Sequence, residues 1–257
     1  MTNVDLVVVG NLLVDDLPHR PNVPGGAALF TALAARCCGL SVAVHSVVGE
    51  DYPLRWLEEA GVHLSLVRLK GAGGRTVIRY TPKGRTLEHQ GPCHRDLSPQ
   101  VRHPYRTSLV HIAPMPTDIQ AFHLRECCKH GAMLDPYPVL NEQTWSMFRP
   151  LRERLAALLL NEEELQLDIS SLGDDVWTIL KQAQRGGTTT NPELRWEALP
   201  VEVVDPTGAG DAFAAGLAAG WVRGLDHQAI LQLAAKAASW ALPSVGAESL
   251  YRKACSS

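Results

Sequence analysis

No stretch of this chain of 257 residues is apolar for long enough to cross a bilayer. None of its 10 histidines falls into an H-E-x-x-H pattern, and none of its 6 cysteines forms a C-x-x-C pair. Those gaps exclude a zinc ribbon and a zincin-type metal site, and they speak against a disulfide scaffold. Charge of one sign is also missing. With 24 basic and 27 acidic residues the net charge is −3, so no nucleic-acid-binding surface is indicated. The opening residues Met1-Thr2-Asn3-Val4-Asp5 lack the basic region of a secretory signal, and a cytoplasmic setting is expected. In that setting the vicinal pairs Cys37-Cys38 and Cys127-Cys128, both on predicted helices, are expected to be buried thiols. No internal repeat, low-complexity segment or linker interrupts the chain, so a single α/β domain spanning 1–257 is expected.

What is present is an alternation of short apolar runs and helical patterns. Strands are predicted at 4–10, 41–48, 63–69, 108–113, 132–135 and 157–161. Helices are predicted from Gly25-Gly26 to about Cys38 and at 54–60, 118–130, 142–155, 174–185 and 227–241. Such alternation implies βαβ units and a mostly parallel sheet. The 76–81 and 85–89 segments, separated by Pro82-Lys83-Gly84, read as a β-hairpin suited to a flap over an anionic ligand. Residues 188–196 are a weak segment. An open parallel sheet places its site beyond the carboxyl ends of its strands, where Gly10, Asp135, Asn161 and Asp205 fall.

The most informative stretch begins as a predicted short apolar strand, 199–204, and continues Asp205-Pro206-Thr207-Gly208-Ala209-Gly210-Asp211 into an Ala/Gly-rich helix. Glycines at a strand-to-helix junction let backbone approach a ligand closely, and the unpaired amides of a helix start attract anions. An acid among those donors is repelled by a phosphate and is better placed to meet an incoming hydroxyl. The combination indicates phosphoryl transfer.

This stretch resembles the D-T-x-G-A-G-D signature of the ribokinase-like (PfkB-type) sugar and nucleoside kinases, with Pro206 in place of the signature's Thr. The resemblance implies a ribokinase-like three-layer α/β sandwich with a mostly parallel central sheet and a reduced β lid. It implies catalysis by Asp211 as base, with the amides of Gly208, Ala209 and Gly210 around the transferring phosphoryl group. Thr207, Gly208, Gly210 and Asn161 would contact the nucleotide, and Glu164 of the N-x-x-E run would hold Mg²⁺ through water. ATP and Mg²⁺ are thus expected, and a monovalent cation is admitted. On the acceptor side, Gly10-Asn11-Leu12-Leu13-Val14-Asp15 and Gly25-Gly26 match the family's first strand and second signature, which makes Asn11, Asp15, Gly25 and Gly26 substrate contacts. Arg79 from the flap is a further candidate contact.

Departures from the pattern bear on the acceptor and on activity. Ala27-Ala28-Leu29-Phe30 follow the paired glycines where sugar-specific members carry polar residues, which points away from ribose and toward an inositol-kinase-like branch. Only a loop is expected over 16–24, leaving the lid to 75–89, and the nucleotide-side loop looks short between 186 and 198. A kinase-like binding or regulatory protein is therefore the rival reading. An exposed lid edge would also suit a homodimer. His94-Arg95-Asp96-Leu97 imitates a protein-kinase loop but has Val101 where the metal-binding Asn belongs, and Gly71-Ala72-Gly73-Gly74 lacks the ending of a P-loop.

Overall fold

The structure is a computed structural model that describes residues 2–18, 20–81, 84–126 and 131–256. The run Leu6–Val9 (β1) is buried at every position, as a strand covered on both faces must be. It is the third strand from one edge of a nine-stranded sheet. On one side of β1 lie Val42–Val48 (β4) and His63–Arg68 (β5). On the other lie Leu109–Ile112 (β8), Ala132–Leu134 (β9), Leu155–Asn161 (β10) and Thr178–Lys181 (β11). All seven run parallel. Gly187–Thr190 (β12) and Leu194–Trp196 (β13) continue the sheet antiparallel at its edge.

Alternation along the strands builds two cores. Leu6, Val8, Val44, Leu109 and Met133 face Ala27–Cys37 (α1), Ala209–Val222 (α5), His227–Ala241 (α6) and Glu248–Ala254 (α7). Val7, Val9, Val110, Ile112 and Leu134 face Thr117–Glu126 (α3) and Glu142–Phe148 (α4), whose Trp145 and Phe148 are fully buried. The result is helix, sheet, helix, as expected. The short Arg55–Glu59 (α2) leads from β4 into β5.

A second sheet stands apart from the first. The expected 16–24 loop is instead a hairpin of Leu13–Leu17 (β2) and Arg20–Gly25 (β3), and β2 pairs parallel with Arg75–Thr81 (β6), which pairs with Gly84–Gln90 (β7). The lid therefore has four strands in the order β3-β2-β6-β7. Two prolines and the turn residue Asn22, at φ 59°, hid β3 from a pattern search.

Three further expectations change. The 174–185 segment holds strand β11, not a helix; its β-branched and aromatic core, Val176 to Ile179, is buried throughout. The 199–204 segment is not a strand: Val203 and Val204 are more than half exposed, and the Val204 and Asp205 amides donate to the Leu242 carbonyl at the end of α6. The end of the 142–155 helix tightens into a 3₁₀ turn, Arg149–Arg154, with Pro150 near its start. Cys127 and Cys128 lie outside the described residues, while Cys37 and Cys38 are unpaired thiols at the end of α1. Burial pushes them up to about 12 and about 11 respectively, which keeps both protonated. Among the described residues no helix is long and apolar enough to cross a membrane.

Candidate active site

Helix α5 begins at Gly208, which adopts φ 79° and carries no capping side chain. Two constraints fix glycine there. The left-handed backbone excludes most side chains, and a Cβ would lie 1.9 Å from the ring of Phe30 on α1. The turn before it is braced by Asp205, whose carboxylate accepts from the Thr207 amide at 2.9 Å and the Gly246 amide at 2.9 Å. Buried Asp205 thus shapes the turn; the Ala209 amide donates to the Pro206 carbonyl at 3.4 Å, and the start of α5 carries no side-chain cap, with the positive end of the helix dipole behind it. Asp211 stands in that first turn, half-buried.

Beside this helix start the strand ends contribute a cluster of ionisable groups. Lys181, the last residue of β11, places Nζ 3.3 Å from Asp135 Oδ2 and interacts electrostatically with Glu164 and Asp211. Burial alone would pull its ammonium down, but the Asp135, Glu164 and Asp211 carboxylates hold it above the ordinary lysine range. Asp135 is 3% exposed and its Oδ1 has no partner. Glu164 is pushed up to about 7 by burial and then by the Asp135 charge, with Lys181 opposing. In the N-x-x-E turn, Asn161 Oδ1 accepts from the Glu163 and Glu164 amides, and Glu164 Oε2 accepts from the Asn161 amide at 2.8 Å. The turn is locked by this reciprocal capping and no α-helix follows it.

Among the described residues no group of three or more His, Cys, Asp or Glu could enclose a metal directly. The oxygens present suit Mg²⁺ in another way. Magnesium keeps several waters and is held by one or two carboxylates plus substrate phosphates. The partnerless Asp135 Oδ1 and the Glu164 carboxyl are acceptors of that kind, and the uncapped amides of α5 fit a phosphate chain.

The acceptor-side residues gather under the lid. Asp15 on β2 is 5% exposed and lies against Gly25, where a Cβ would stand 1.9 Å from its Oδ2. Tyr52 donates to the Gly25 carbonyl at 3.1 Å; burial, and then Asp15, push its phenol far above the usual range. Gly26 is the N-cap of α1. One turn further Phe30 rests on Gly208, which sets the acceptor segment beside the start of α5 and gives the apolar residues after Gly26 a packing role. Asn11 is buried and oriented: Ser98 donates to its Oδ1 at 3.1 Å, and its Nδ2 lies 3.1 Å from His94 Nδ1. Above it His94 stacks on Tyr137, with ring centres 4.9 Å apart.

Asp15, Gly25, Gly26 and Asn11 thus lie near one helix start, while Thr207, Gly208, Ala209, Gly210 and Asp211 form the other. Arg79 lies elsewhere. Asp15 pairs with Thr76, so the lid face that carries Asp15 is the face of Thr76 and Ile78; Arg79 points from the opposite face and pairs with Glu88 at 2.7 Å, more than half exposed. The 186–198 segment holds the edge strands β12 and β13. Strand β11, its turn and β12 form a hairpin there, with Gln182 and Arg185 bonded to Glu162. Lys181 escaped sequence reading because a predicted helix placed it among solvated charges. Its signal was a buried apolar run ending at a Gly-Gly turn.

A nine-stranded, mostly parallel sheet between helices, capped by a small β lid and carrying this pair of helix starts, defines a ribokinase-like α/β protein. The model of the pfkB family carbohydrate kinases matches residues 12–254, so the chain belongs to that family and is a small-molecule kinase. It is similar to the cytidine kinase of Thermococcus kodakarensis, at 27% identity over 86% of this chain and 90% of that one. In fold it matches the nucleoside kinase of Methanocaldococcus jannaschii, with a TM-score of 0.79, 20% identity and coverage of 96% and 94%. It likewise matches the ribokinase of Cryptococcus neoformans var. grubii serotype A solved with ADP, with a TM-score of 0.76, 19% identity and 97% coverage of both chains.

Proposed function

We propose that this kinase is ATP-dependent and phosphorylates a hydroxyl of a small sugar, cyclitol or nucleoside, with Asp211 as the base. The observation that carries the reading is an acid in the first turn of a helix that starts on Gly208 without a side-chain cap. A phosphoryl group seated on the Gly208 and Gly210 amides, with the Ala209 amide shared with the Pro206 carbonyl, would have its developing charge met by donors of the helix start. Asp211 would align the acceptor hydroxyl and take its proton as the oxygen attacks. With basic and dipolar groups around it, Asp211 contributes alignment more than basicity. Asp15 would accept hydrogen bonds from further acceptor hydroxyls, and Gly25 and Gly26 let the acceptor approach the backbone. Mg²⁺, held through water by Glu164 and Asp135, would offset phosphate charge. The likeness to a cytidine kinase, and the His94–Tyr137 stack beside Asn11, favour a nucleoside over an inositol.

The test is ADP release with ATP–Mg²⁺ across cytidine, other nucleosides, inositols and sugars. Asp211→Asn is expected to keep the wild-type circular dichroism and lower turnover by about 10²–10⁴-fold. Near-normal turnover by that variant would remove the base assignment. Absence of turnover by the wild type on every acceptor would overturn the ATP-dependent reading.

A further inference from the structure

We infer that Lys181 is the chain's own contact to the terminal phosphate of the nucleotide, a fixed ammonium that grips the transferring group from the side opposite the α5 amides. The inference rests on the ATP-dependent reading above. Lys181 ends β11 at the carboxyl edge of the sheet, directly across from Asn161 in the parallel register. Its Nζ would stand 3.7 Å from a Cβ placed on Gly210, so the ammonium borders the amide cradle itself.

A simpler role would be as counter-ion to buried Asp135. The geometry asks for more. The separation of 3.3 Å is longer than the 2.7–2.9 Å of a good charge-assisted bond. An ammonium has three donors, and among the described residues the Asp135 carboxylate is the one hydrogen-bond acceptor recorded for this one, although the side chain is only 16% exposed. Two donors on a largely buried cation are left to turn toward the cradle. Charge points the same way. Asp135, Glu164 and Asp211 all act on Lys181, and a triphosphate brought against three acids is repelled unless a cation faces it. Arg185 does not serve, because it is tied to Glu162 on the rim and is mostly exposed.

Calorimetric binding of AMP-PNP and ADP, each with Mg²⁺, to the wild type, Lys181→Met and Lys181→Arg provides the test. Lys181→Met is expected to weaken AMP-PNP by about 10- to 100-fold and ADP by less than about threefold, with Lys181→Arg recovering part of the difference. Equal losses for the two nucleotides, or no loss, would overturn the inference and leave Lys181 as a counter-ion. Should removal of the cation unfold the protein, the pair Lys181→Met with Asp135→Asn removes the carboxylate that Lys181 bonds together with the cation and is compared with Asp135→Asn alone. The same discrimination against AMP-PNP is then expected, and its absence counts equally against the inference. A wild type that binds neither nucleotide would instead bring down the ATP-dependent reading, so the two failures are told apart.

Discussion

At the scale of single residues, the two glycines of the signature have different reasons to be glycine, and substitution separates them. At Gly208 a methyl group meets the Phe30 ring at 1.9 Å on a backbone already at φ 79°. Gly208→Ala is therefore expected to cost about 2–4 kcal/mol and lower the melting temperature by roughly 5–15 °C, with activity lost alongside. At Gly210 the nearest atom to a new methyl is Lys181 Nζ, at an ordinary 3.7 Å, and the position lies inside a helix. Gly210→Ala should leave stability unchanged or raise it by up to about 1 kcal/mol while lowering nucleotide affinity at least 10-fold, since the methyl enters the phosphate cradle. Thermal melts and ADP titrations of the two variants check both. Matching losses of stability would mean that the cradle is only a packing joint.

At the scale of elements, what could be read from sequence follows the strength of local signals. Helix α6, 227–241, was legible to the residue because Asp226 caps it and its apolar stripe is continuous. Six of the seven parallel strands were legible because buried runs of Val, Leu and Ile have no other outlet. The first half of the lid was not: β3 begins Arg-Pro-Asn, turn chemistry that becomes a strand only through its partner β2. Strand β11 was lost because acids before it and basic residues after it imitate the ends of a helix. That error had a functional consequence, since it concealed Lys181. The site residues on glycine-rich turns were legible, because the chemistry of backbone approach is written in the residues themselves. The face on which a lid residue lies was not, because register is a property of two strands. Arg79 follows from this. It lies on the face away from Asp15, bonded to Glu88, so Arg79→Ala should change kcat/KM by less than twofold and leave stability within about 0.5 kcal/mol, as for other exposed pairs. A loss beyond 10-fold in steady-state assays would put that arginine back over the acceptor.

At the scale of the whole molecule, buried histidines set how the fold responds to acid. His111, His123 and His103 are pushed down to about 4 by burial, and His45 is lowered by the same cause. His45 sits 6.3 Å from His103 and 5.9 Å from His123, ring to ring, and the recorded partners of His45 and His123 are hydroxyl and carbonyl oxygens of Ser65, Val101 and Pro99. His111 faces the Asp135 carboxylate, which favours its protonation, and the Lys181 ammonium, which opposes it. In the unfolded chain these rings take protons near 6.5, which the folded chain refuses until about 4. Stability is therefore fully present above about pH 6.5 and falls as pH drops toward 4, by on the order of 3 kcal/mol at pH 4 for each of the fully buried pair His111 and His123. Glu164 acts in the other sense: raised to about 7, it keeps a proton that the unfolded chain releases, so its contribution declines as pH rises from about 4.5 to 7. Several histidines outweigh one glutamate, and greatest stability is expected near pH 6.5–7. Urea unfolding from pH 4.5 to 8 measures the slope directly. His111→Met removes a ring whose two nitrogens have no partners, so it should flatten the acid limb by about one proton, roughly 1.4 kcal/mol per pH unit. An acid limb as steep as the wild type's in that variant would show that the proton uptake driving acid unfolding belongs to other groups.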